Sequence, residues 1–286
     1  MKNILLRVIA CAGLALMSGN IVCAQEILPD NSHVILKKKK KNSGSKGTIY
    51  GSWGYNKEWY TPSNIHIVQP SLGNNYTLKN VYAGDKPGWN DGLFSKALSI
   101  PQYNYRLGYF FKDNWAFEIN FDHTKYVVAT DQLLHAVGTM NHQPVDTFIN
   151  NRNGFLKWQL NNGANFLLFN IVHRKHITDF HTDWFDASAF FKGGIGFVFP
   201  HVQNTIDGNP NYPDGTPNSK HFQFGGFNQG FEATVRATFF NYVFLEYCNK
   251  LDIAEYSHLR VYEGEARQFF GTYEMILNLG VSVPLK

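Results

Sequence analysis

Apart from Cys11 and Cys23 near its start, the chain has a single cysteine, Cys248. Both early cysteines fall in a leader-like segment, so the remainder has no internal disulfide to form. An exported chain without disulfides needs another source of stability, and closing a sheet on itself is one. Long apolar runs are missing as well. Beyond the leader no stretch approaches the ~20 residues of a spanning helix, so any membrane crossing must be made by strands. Charge of one sign is scarce: 26 Lys and Arg against 22 Asp and Glu leave a net +4. No helical nucleic-acid motif accompanies that small excess, and nucleic acid is not an expected partner. No repeat of 20–50 residues is visible, which argues against a propeller or solenoid.

What is present in quantity is aromatic. The 24 Phe, 15 Tyr and 6 Trp make 16% of the chain, a load that suits interfacial girdles. They are patterned most clearly in the hairpin Tyr103–Thr130. On its first arm Tyr103, Tyr105, Leu107, Tyr109 and Phe111 share one face, with Gln102, Asn104, Arg106 and Gly108 on the other. On its second arm Phe117, Ile119 and Phe121 oppose Glu118, Asn120, Asp122 and Thr124. Strict period-two alternation marks strands with one apolar face. Lys112-Asp113-Asn114 between the arms is short and turn-forming. The arms have the ~9–11 residues that cross a bilayer when tilted, against ~5–6 for an average soluble strand. A membrane barrel turns such an apolar face to lipid and the charged face to its lumen.

The chain opens with basic Lys2 and Arg7, an apolar Val8–Met17 and small residues up to Ala24. This pattern predicts a secretory signal peptide over 1–24. Residues 25–47 carry five adjacent lysines, Lys37 to Lys41, before a Gly/Ser stretch. They read as a flexible basic periplasmic lead, with 48–286 as the barrel. Further strands are expected at 48–60, 164–174, 186–205, 222–239, 242–253 and 268–284. That makes about eight, or ten if the short β-like pieces 65–69 and 76–82 enter the wall. Connections alternate in length. Short ones fall at 112–114, 175–185 and 240–241, and long polar ones at 61–99, 131–162, 206–221 and 259–267. Short periplasmic turns and long extracellular loops are the outer-membrane pattern. The expected fold is an all-β, antiparallel, up-and-down transmembrane β-barrel in the outer membrane of a Gram-negative bacterium.

On this pattern the chain resembles small outer-membrane β-barrel proteins of the OmpA-domain, OmpX and PagL-like type. Its Asn- and Lys-rich loops and its Val283-Pro284-Leu285-Lys286 end look more like Bacteroidota members of that group than proteobacterial ones, which usually end in Phe. The resemblance implies an architecture rather than an activity. A PagL-like lipid A deacylase should carry His-x-Ser-Asn, which this chain lacks.

Candidate functional residues divide between lumen and loops. The expected lumenal charge network is Arg106, Glu118, Asp122, Lys192, Glu232, Arg236, Glu246, Lys250, Asp252 and Glu274, with Glu58 beside it. Buried charges must be paired, and an eight-stranded barrel has just enough interior for side chains. The network is therefore expected to plug the lumen. Acids outnumber bases, so some carboxylates should lie near the rim, hydrated or protonated. Asp122-His123 is no dyad, because adjacent strand residues point to opposite faces. His123 is expected at the interface, above the apolar band. His173, His176, Asp179, His181 and Asp183 are dense but match no metal-ligand spacing. Outer-rim candidates for hydrolysis are His66, Asp85, Asp91, His135, His142, Asp146, His201 and Asp207. Triads need geometry rather than sequence order.

No catalytic, metal or cofactor site is assigned. The first reading is a barrel with a structural, surface-interaction or envelope-complex role. The alternative is an outer-leaflet lipid-modifying enzyme, and a narrow pore is the third. Outer-membrane lipid, lipopolysaccharide and envelope proteins are the expected partners.

Overall fold

The computed structural model describes residues 44–86, 102–160, 164–178, 184–201, 203–210 and 222–285. The leader and most of the basic lead lie outside the described residues.

Eight strands close into a ring. In chain order they are β1 (Thr48–Tyr60), β5 (Tyr103–Lys112), β6 (Trp115–Asp122), β11 (Phe166–Thr178), β12 (Phe185–Val198), β15 (Gly226–Phe239), β16 (Val243–Val261) and β17 (Gly264–Pro284). Every neighbour is antiparallel, and β1 closes the ring on β17, from Thr48↔Pro284 to Tyr60↔Thr272. The numbers missing from the ring belong to extracellular strands. Closure is what hydrocarbon demands, since an open edge would leave a row of unpaired backbone groups in lipid. The ring holds eight strands, not ten.

Alternation places the side chains. Tyr105, Leu107, Tyr109, Phe117, Ile195, Phe231, Leu245, Leu277 and Leu279 stand exposed on the outside, while their even-numbered neighbours are buried, or half-buried at Gly194. Such a continuous exposed apolar surface is far larger than water tolerates. Two of the periplasmic turns are tight. Asn114 (φ 64°) ends the first, and Phe240 and Asn241 (φ 55° and 65°) form the last. Two successive positive φ values match the right-handed twist of the flanking strands. The end of the lead is held here too: Gly47 N donates to Phe110 O (2.8 Å) and Asn114 N to Gly44 O (3.1 Å).

Among the described residues the long connections are largely strand. β16 and β17 run 19 and 21 residues, about twice a membrane crossing. They meet at a tight Tyr262–Glu263 turn, where an irregular 259–267 connection is expected. Their upper halves extend the sheet: β17 pairs with β2 (Ser63–Gln69), then come β3 (Asn74–Val81), β8 (Leu133–Met140) and β9 (Gln143–Asn150). A second sheet runs β14 (Asn209–Pro210), β13 (Gln203–Ile206), β10 (Leu156–Leu160), β7 (Tyr126–Val128) and β4 (Ala83–Gly84). Thus 133–140, 143–150 and 156–160 are strands rather than a polar connection, and 203–210 is a short hairpin after the break at Pro200.

The two sheets enclose an apolar core that includes Ile65, Leu78, Tyr126, Leu134, Trp158 and Leu259. The same core descends into the mouth of the ring through Phe166, Leu168, Ala254 and Phe270. The barrel therefore carries a folded β-sandwich cap.

Trp158 is fully buried in that core. Trp158→Ala should cost the cap about 3–5 kcal/mol. Limited proteolysis should then cut within 126–160 while the barrel keeps its heat-modifiable migration on a detergent gel. Loss of both together would mean that cap and barrel unfold as one.

Candidate functional site

The lumen is layered. At the periplasmic end Tyr50, Phe110, Phe190 and Phe244 point inward and form an aromatic floor with Ala116 and Val172. Glycines make room for it. A Cβ on Gly108 would lie 2.1 Å from the Tyr50 ring, and one on Gly280 2.2 Å from the Phe244 ring. The Arg236 guanidinium sits among these rings, 3.8 Å from the centroid of Phe244, 4.2 Å from Phe190 and 4.5 Å from Tyr50. Its charge is met by Glu246 at 2.7 Å. Cation–π contacts of this kind are strongest where water is excluded.

Above the floor the charges form one connected chain. The Tyr50 hydroxyl donates to Glu118 (2.7 Å), and Lys192 lies 3.1 Å from Glu118 and 2.8 Å from Glu232. Arg106 meets Glu232 at 3.5 Å and Asp122 at 2.5 Å. Lys250 lies 2.6 Å from Asp122, 2.7 Å from Asp252 and 3.2 Å from Glu274. All ten residues named from the sequence point into this space, each 3% exposed or less. Register explains the pairs: Lys192↔Glu232↔Lys250↔Glu274 and Arg236↔Glu246 are direct cross-strand neighbours. Opposite charges in such positions attract strongly in a medium of low dielectric.

Seven carboxylates, Glu58 included, share this space with four cations. Glu58 meets no cation within salt-bridge distance among the described residues. It accepts from Asn56 Nδ2 (3.1 Å) and from the Tyr60 hydroxyl. It lies at the upper end, where Asp85 of the cap accepts from its backbone N–H (2.8 Å). Burial pushes the Asp85 carboxyl up to about 6.

The cap core lies above the charges and the aromatic floor below them. Sequence reasoning identified the charged face but missed the floor and the stopper. The floor was readable by parity, since Phe110, Phe190 and Phe244 fall in step with Arg106, Lys192 and Glu246.

The loop candidates scatter. His135 pairs with Asp146 (2.6 Å) and stacks on Phe148, on the exposed β8–β9 hairpin. His66 bonds Asn75 (2.9 Å). His142 and Asp207 occupy turns at positive φ. His201 is buried against Phe222, and Asp85 belongs to the lumen mouth. Asp91 lies outside the described residues. None of the described hydroxyls hydrogen-bonds to His66, His135, His142 or His201. His123 is 8% exposed, stacked on the outward-facing Tyr103 (4.7 Å) and bonded to Asn165 (2.8 Å), where the chain leaves the wall. His173 packs at a tilt against Trp115 (4.6 Å), and His176 pairs with Asp186 (2.8 Å) at the periplasmic rim. Asp179, His181 and Asp183 lie outside the described residues. Among the described residues no cluster of His, Cys, Asp and Glu is arranged to hold a metal.

An exterior that only hydrocarbon can solvate, wrapped round buried charge, makes this ring a transmembrane β-barrel of the Gram-negative outer membrane. No family model and no curated protein matches the chain. Among solved structures it is similar to the N-terminal β-barrel domain of OprF from Pseudomonas aeruginosa, at 10% identity and TM-score 0.34, covering 83% of this chain and 98% of that one. It is also similar to Ail, the attachment invasion locus protein of Yersinia pestis, at 10% identity and TM-score 0.33, over 83% and 99%. A third is OprG from Pseudomonas aeruginosa, at 10% identity and TM-score 0.40, over 86% and 100%.

Two outcomes follow from the lumen. Lys250→Met leaves Asp122, Asp252 and Glu274 without their shared cation, and should cost about 3–5 kcal/mol in urea unfolding from lipid vesicles. The folded state holds the Asp85 proton more tightly than an unfolded Asp, which titrates near ~3.9. Stability linked to it is full below pH ~4 and lost as the pH rises through about 6. The melting temperature of wild type relative to Asp85→Asn should therefore rise as the pH falls from 7.5 to 4.5. A flat difference would contradict it.

Proposed function

We propose that this protein is a non-conducting membrane anchor that holds a folded β-sandwich at the cell surface for contact with envelope or extracellular partners. The observation that carries the reading is that the described residues above the ring form two sheets around a shared apolar core. Two sheets around an apolar core are a display scaffold, and long strands β16 and β17 tie them rigidly to the wall. The lumen supports the same reading. Charges enclosed between an aromatic floor and an apolar stopper are a structural brace, and a path for ions would need water where rings now pack.

The pore reading has the charged interior in its favour and both apolar layers against it. The enzymatic reading has the His135–Asp146 pair. Among the described residues no hydroxyl or thiol hydrogen-bonds to that exposed pair, whereas covalent catalysis needs a nucleophile beside its base.

Planar-bilayer recordings of the purified protein should show no steady conductance. Phe244→Ala combined with Phe190→Ala, which opens the floor, should still not conduct while the cap is present. Lipid A from a deletion strain should match the parent by mass spectrometry. Steady wild-type channels, or a lipid A species lost on deletion, would overturn the proposal.

A further inference from the structure

The outer wall is not uniform. Across β12, β15 and β16 a groove of about 520 Å³ opens on the lipid-facing side, lined by Phe169, Ile195, Phe227, Ile253 and Phe269, with Gln229 in its floor. That volume lies within the ~300–1,000 Å³ of ligand sites. Ile195, Gln229 and Ile253 share one cross-strand row. They stand ten residues above Phe185, Phe239 and Val243, where the strands leave the periplasmic side. A tilted strand crosses the hydrocarbon in ~9–11 residues, so this row marks its outer edge.

Two features set the groove apart from an ordinary stretch of belt. First, the apolar surface continues upward where headgroups begin. One row higher, exposed Phe227 and Phe269 join Phe197, and Phe224 packs edge-on against Phe227 at 5.8 Å. Such rings prefer hydrocarbon to headgroups, so they form a ledge over the groove. Second, the floor carries one outward-facing amide, since the neighbouring Asn228 is buried on the lumenal side. Gln229 is exposed, and its carboxamide meets no hydrogen-bond partner among the described residues. An amide facing hydrocarbon is costly unless it is bonded. Below the row, Gly193 faces outward without a side chain, its Cβ position 3.9 Å from Phe231. The groove therefore stays open toward the bilayer centre, as a long chain entering from below the ledge would require.

We propose that this groove seats an acyl chain of lipid A, with the Gln229 carboxamide bonded to the ester or hydroxyl oxygens near the chain's carboxyl end. The position decides the occupant. The groove lies on the lipid side of the wall, in the outer leaflet, and its exposed Gln229 amide stands at the depth where acyl chains carry their oxygens. Glu255, one row above Ile253 and outward-facing, adds a negative charge at headgroup level. Contact there is with sugar hydroxyls rather than phosphate. The inference needs only that the wall faces lipid. It stands whether or not the cap is a display scaffold.

The test is native mass spectrometry of full-length protein extracted in mild detergent from outer membranes. Wild type should retain one lipid A-bearing molecule. Ile195→Trp, which fills the groove, should lower retention about tenfold relative to wild type. Leu107→Trp, elsewhere on the belt, should leave it unchanged. Heat-modifiable migration checks that each variant is folded. In an otherwise wild-type barrel, a photo-crosslinking residue at 253 should capture lipid A, and one at 279 should not. Retention of phospholipid instead, of detergent only, or of lipid A equally in both tryptophan variants would overturn the proposal. So would equal capture from positions 253 and 279.

Discussion

Everything in this molecule depends on the pairing of backbone amides where there is no water to replace a missing partner. Inside a bilayer an unpaired N–H or C=O costs several kcal/mol. The ring therefore closes, with β1 bonded to β17 along all 13 of its residues. Closure fixes the alternation, and alternation sorts the chain into a lipid-facing side and a lumenal side. An eight-stranded ring leaves an interior just wide enough for side chains. Whatever faces inward must pack and pair there.

The lumen answers that demand in layers. Rings and small residues close the periplasmic end, the cap core closes the other, and ion pairs occupy the middle. Buried ion pairs are weak evidence for net stability, because desolvation offsets much of their attraction. Their use here is specificity of register. Lys192, Glu232, Lys250 and Glu274 face one another across four adjacent strands. A slip by one residue would turn these charges to lipid. The same charges that brace the lumen thus define which strand pairing is possible.

The wall was legible in the sequence because lipid imposes one rule on every strand. Tyr103 to Phe121 alternates on both arms of its hairpin apart from the inward Phe110 and Ala116, and the ten charges that share the lumen keep the same parity. The cap was far less legible. Its strands are short, rich in Asn, Thr and His, and β9 is exposed on both faces, so no period-two signal distinguishes Gln143–Asn150 from a polar loop. Their register comes from outside themselves, from the overshooting ends of β16 and β17, which offer an edge for β2 to extend. Leu156, Trp158 and Leu160 did alternate, over a span too short to stand out.

The central claim is that the Tyr- and Phe-bearing face of each strand meets hydrocarbon. Spin labels on single cysteines at Leu107, Phe231 and Leu279, in the protein reconstituted into lipid vesicles, measure this directly through collision with oxygen and with a water-soluble nickel complex. All three positions should collide with oxygen more often than with nickel, and labels at Asn75 and Phe148 on the cap should show the reverse. Preferential collision with nickel at the three wall positions, or protection from both reagents as in a packed protein core, would contradict the account.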